Sequence, residues 1–176
     1  MKVTSRSLKG LVSPLMLGVI RLFLSKYKAV KLADKIAQLL LPAFVLFLGS
    51  DGKLDHRMQT DEFVLSYMYG AFALQVEDSG VTDTMQRGFT MWECFDRFFP
   101  GEGRKVLELC NVRLEAGQRE FKRGMGKGYK EMADVLEVFA KVPNGASEAE
   151  ATKRVEDSGV DIGLPSLRKH LVHNYS

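Results

Sequence analysis

GRKVLELCNVRLEAGQREFKRGMGKGYKEMADVLEVFAKV, residues 103–142, is the longest uninterrupted periodic stretch of the chain. Leu107, Cys110, Leu114, Phe121, Met125, Tyr129, Met132, Leu136 and Phe139 recur in it at steps of three, four or seven, the spacing of one helix face. One straight helix of that length would extend about 60 Å, against about 40 Å for the width of a compact chain of this size. The stretch must therefore protrude, bend or break. Gly124, Gly126 and Gly128 mark the expected place, since each costs a helix about 1 kcal/mol relative to alanine. The expectation is two helical halves, kinked or broken between Gly124 and Gly128, with the glycines serving the bend or close helix packing.

Outward from this stretch the same reading yields more helices. Ser13-Pro14 is an N-cap followed by proline at the first helical position, opening a helix to about Tyr27 whose narrow polar stripe holds Gly18, Arg21, Ser25 and Lys28. A second run over residues 29–41 uses Val30, Ala33, Ile36, Ala37 and Leu40, and Pro42 should kink or end it. Thr60 is placed to cap the next helix, with Asp61 and Glu62 in its first turn. Residues 63–76 carry no charge, so that helix belongs at the centre.

Residues 83–98 follow, with Met85, Phe89, Trp92 and Phe95 on one side and Pro100-Gly101 as the stop. Ser147 and Glu150 form a capping-box signature for a short helix, and Leu164-Pro165 leads into a last one. No segment alternates like a half-buried strand. The expected class is all-α: a single-domain helical bundle of about six to eight helices over residues 13–176, preceded by a flexible basic N-terminus at 1–12. VEDSGV occurs twice, at 76–81 and 155–160, without similarity spreading outward, which reads as two uses of one glycine-terminated helix ending.

Composition bounds the function. With 45% hydrophobic and 27% charged residues the chain can bury an ordinary core. The net charge of +3 is unevenly spread: residues 1–33 carry seven basic residues and no acid, leaving −4 for the rest. Cys94 and Cys110 both fall on apolar helical faces, implying a reducing compartment, the cytoplasm, and no disulfide framework. Pro14 and Arg21 interrupt the apolar residues 11–24, and residues 36–48 contain Pro42. A spanning helix needs about 20 apolar residues, so neither run is expected to cross a membrane.

Motifs of catalysis are scarce. Aligning Gly52 of Ser50-Asp51-Gly52-Lys53 with the glycine of a calcium loop puts Phe47, Gly49 and Met58 where oxygen ligands are required. The helix, Asp-Gly turn, helix arrangement resembles the turn in tellurite-resistance TerB-like helical domains, and the turn itself reads as a solvated connection. His170 and His173 are spaced to share a helix face, but no third zinc ligand stands at motif spacing. Gly126-Lys127 is followed by glycine and preceded by helix, unlike a phosphate-binding loop. Residues 151–171 look like a helix-turn-helix with a connection about two residues too long. No nucleophile elbow, zinc-protease motif or cofactor fingerprint is present, so no cofactor, metal or catalytic residue is assigned.

The functional expectation is a non-enzymatic helical interaction or regulatory protein, binding another macromolecule and associating peripherally with the cytoplasmic membrane surface through its basic, apolar N-terminal third. Arg21, Lys26, Lys28 and Lys31 are the candidate membrane or partner contacts. The alternative is a DNA-binding regulator using Arg168 and Lys169 on the last helix. A small-ligand protein or enzyme with a site assembled from distant residues is the third.

Overall fold

The computed structural model describes residues 14–49, 53–143 and 145–175, the side chains of 14–21 and 148 excepted. Among the described residues there are seven α-helices and no strand: α1 (Pro14–Phe44), α2 (Glu62–Asp78), α3 (Thr84–Phe98), α4 (Gly103–Glu115), α5 (Arg119–Ala140), α6 (Glu148–Ser158) and α7 (Pro165–Tyr175). The expected all-α bundle is therefore found. The basic N-terminus at 1–12, the Ser13 cap and the turn at 50–52 lie outside the described residues, although Leu48 and Leu54 bridge across that turn.

The centre is α2. Val64, Leu65, Tyr67, Met68, Ala71, Phe72 and Val76 are buried around its circumference, as a charge-free helix requires. On one side Phe72 meets Phe95 and Phe98 of α3, with ring centroids 5.1 and 5.8 Å apart. On the other lies α5, and glycines remove the side chains between the two. A Cβ on Gly124 would overlap the Ser66 hydroxyl, one on Gly128 the Tyr67 carbonyl, and one on Gly70 the Met125 carbonyl. These helices approach to backbone contact.

The expected break between Gly124 and Gly128 is thereby corrected. α5 runs through all three glycines, and the chain breaks instead at Gly117, whose φ of +69° ends α4. Its amide donates to the Leu114 carbonyl, and Gln118 leads directly into α5. Gly124 and Gly128 stay helical because their lack of a Cβ is filled by another helix.

Two further expectations change. The two N-terminal helices are one helix of 31 residues, since nothing between Tyr27 and Ala29 breaks it; it ends two residues past Pro42. The cap of α2 is Asp61 rather than Thr60, accepting from the Val64 amide at 2.8 Å. The Ser147–Glu150 capping box forms as read. Both copies of VEDSGV end a helix, with Gly80 at φ +70° and Gly159 at φ +66°.

α7 is held to the bundle by two carboxylates. Asp61 Oδ2 accepts from Tyr175 Oη at 2.8 Å and from His170 Nε2 at 2.9 Å, while the His170 ring stacks on Phe63 at 4.5 Å. Glu131 Oε2 accepts from Tyr67 Oη at 2.6 Å and from the Ser166 amide in the first turn of α7 at 3.2 Å.

Candidate functional site: the outward face of α1

α1 packs against α3 through Ser25, Ala29, Ala33, Ile36, Ala37, Leu40 and Phe44, all buried. Small residues at 25, 29, 33 and 37 repeat every fourth position and let the two axes come close. This corrects the orientation expected of the N-terminal helix. Ser25, read as part of its polar stripe, faces the bundle, and large apolar residues face out. Phe23 is 70% exposed, Tyr27 59% and Leu24 55%.

Leu22 continues the buried stripe three residues before Ser25 and is nevertheless 43% exposed.

Cations are interleaved with these apolar groups. Lys31 Nζ stands 4.7 Å from the Tyr27 ring centroid, one turn along the helix, and Lys26 Nζ stands 5.5 Å from that of Trp92 in α3. Lys28 is exposed on the same turns. Arg21 belongs to α1, but its side chain lies outside the described residues. Asp34 is the first acid of the chain, and it is engaged by Arg97 of α3 at 2.6 Å. Beside Trp92 a groove of about 310 Å³ opens between α3 and α4, lined by Met85, Phe89, Trp92 and Leu107.

The other candidates are dispersed. Arg168 Nη2 pairs with Asp161 Oδ2 at 3.0 Å, and Lys169 is exposed beside it on α7. α6 rests on α5, whereas α7 packs against α2 and α1. His170 is spent on Asp61, and His173 is exposed. No cluster of three metal-ligating side chains occurs among the described residues.

The Asp61–His170 pair has the form of an oriented base, but the other ring nitrogen of His170 faces Asn174 Nδ2 at 3.3 Å rather than a nucleophile. Both cysteines are buried. Burial pushes the Cys110 thiol up to about 12 and Cys94 higher still, the reverse of thiolate activation. A cleft of about 860 Å³ between α5 and α6 is lined by both signs of charge, including Asp134, Glu137, Lys153 and Asp157.

No helix of the described residues is long and apolar enough to cross a membrane. No family model, curated protein or solved structure matches the chain.

Residue reasoning located Lys26, Lys28 and Lys31 from the absence of acids. It missed Phe23, Leu24 and Tyr27 as surface groups, although the four-residue repeat of small side chains in the same segment carries that signal.

Proposed function

We propose that this chain is a non-enzymatic helical interaction protein that docks on anionic membrane surfaces through the outward face of α1. One observation carries the proposal: Phe23, Leu24 and Tyr27 are exposed on the same turns as Lys26, Lys28 and Lys31. A contiguous apolar cluster on a surface helix calls for a partner. Its charge selects which one. Lysines near an anionic leaflet contribute about 1 kcal/mol each, while aromatic side chains settle at the headgroup boundary. The bundle would sit on the membrane, with α1 lying in the interface plane.

Co-sedimentation with vesicles tests this. Binding to vesicles containing anionic phospholipid at low salt, weakened by added salt and absent with purely zwitterionic lipid, is the expected result. Failure to pellet with anionic vesicles at low salt removes the proposal, and assigns the α1 face to a protein partner or to self-association.

A further inference from the structure

Gly126 is the one glycine of residues 124–128 that the α2–α5 crossing leaves unused. A Cβ added there meets nothing within 4 Å. It lies on the outward side of α5, in the row Arg119, Lys122, Arg123, Gly126, Lys127 and Lys130, all exposed. Their offsets of 0, 3, 4, 7, 8 and 11 describe one face of a helix. Five of the six are cations, spread over about 16 Å of helix.

Little within the molecule neutralises them. Glu120, at the edge of the row, reaches Arg123 at 3.6 Å, and Lys127 Nζ rests 5.5 Å from the Phe63 ring centroid. Arg119, Lys122, Lys127 and Lys130 make no ion pair among the described residues. Glu131, next in the chain, is turned inward to Tyr67 and Ser166. Asp134 and Glu137 bound the row at its far end.

We infer that the outward face of α5 from Arg119 to Lys130 is a docking surface for the phosphate backbone of duplex nucleic acid. The chemistry of the row selects that occupant. It has no exposed apolar side chain to insert between lipids, so it differs in kind from the α1 face. It presents no aromatic platform on which unpaired bases would stack: Tyr129 stands at its edge with its hydroxyl on Glu77 at 3.1 Å. Duplex DNA carries one charge per about 3.4 Å along each strand, so about 16 Å of cationic helix runs beside about five phosphates of one strand. Bare backbone at Gly126 leaves space for a strand to come close between Arg123 and Lys130. Backbone contacts of this type fix position and carry no base sequence.

Fluorescence anisotropy with a short labelled duplex of mixed sequence, titrated with the full chain at several salt concentrations, is the test. The expected result is binding whose log K falls against log salt with a slope of roughly −3.6 to −4.5, for about four to five phosphates. Arg123→Gln and Lys130→Gln should each take about one unit off that slope. Gly126→Glu places a carboxylate in the middle of the row at an open position, so it keeps the fold, and should weaken binding about tenfold or more. Lys28→Gln with Lys31→Gln, on α1, should leave duplex binding unchanged, which separates this surface from the membrane face. Three outcomes would overturn the inference: no duplex binding at low salt, binding indifferent to Gly126→Glu, or loss on Gly126→Glu of vesicle binding alone.

Discussion

The α-carbon of Gly128 in α5 lies against the carbonyl of Tyr67 in α2, so closely that one added methyl group would overlap the oxygen. Gly126, two residues earlier in the same helix, faces open space. Alanine should therefore act in opposite directions at the two positions. At Gly128 the overlap costs about 3 kcal/mol, offset by about 1 kcal/mol of helix propensity, for a net loss of about 2 kcal/mol. At Gly126 only the propensity gain of about 1 kcal/mol remains. Urea midpoints at unchanged m-value measure both; equal shifts of one sign would contradict the crossing.

Asp61 joins the start of α2 to the last turns of α7. Asp61→Ala removes an N-cap, worth about 1 kcal/mol, and leaves His170 and Tyr175 without their acceptor, for about 2–3 kcal/mol in all. Amide exchange across α7 should rise before that of α2.

The same carboxylate predicts a pH dependence. Burial raises its affinity for a proton, but the Val64 amide, His170 and Tyr175 outweigh that, and the net shift is downward. A depressed carboxyl stabilises the fold fully above its unfolded value of about 3.9, and loses that contribution as pH falls through the lower folded value. The stability difference between wild type and Asp61→Ala should hold at neutral pH and shrink below about pH 4. A difference that stays constant to pH 2 would place the interaction outside the carboxylate form.

On the α1 face, Lys28→Gln with Lys31→Gln removes two cations from the proposed membrane contact. At about 1 kcal/mol each, partitioning onto anionic vesicles should drop about thirtyfold. Folding stability should stay within about 0.5 kcal/mol, because both side chains are exposed.

Cys94 and Cys110 should resist thiol reagents at pH 8 in the folded protein and react in urea. Both are buried, and burial raises both thiols well above that pH. Rapid labelling of either in native buffer would show that the core around α3 and α4 opens readily.

Helix positions were legible wherever a cap or a period stood in the chain. Ser147 with Glu150 and the charge-free run at 63–76 act through neighbours within one turn or through composition. Close packing was legible as one of two roles for Gly124 and Gly128, but the choice between packing and a bend was not, because it depends on a helix some 60 residues away in sequence that touches them. Gly117 did carry a local signal, a glycine just after the last periodic residue of α4, but the stripe continued past it. The lysines of α1 were found by counting charges. Which way Phe23 and Tyr27 point went unread because the helix is apolar on most sides; the small residues Ser25, Ala29, Ala33 and Ala37, one every fourth position, are the mark of its inner face. The link from Asp61 to His170 spans 109 positions and leaves no trace in spacing.

The close approach of α2 and α5 at Gly70, Gly124 and Gly128 also bears on the order of folding. Between them lie α3 and α4, so the contact closes a loop of about 55 to 60 residues, an entropic cost that must be met before any of its attraction is gained. Interdigitating side chains would begin to touch while two helices were still apart. Gly70, Gly124 and Gly128 offer no such early contact, since their attraction appears only at full approach. α3 should therefore find α2 first, through Phe72, Phe95 and Phe98, with α5 latching late. A substitution at Gly128 would then speed unfolding far more than it slows folding.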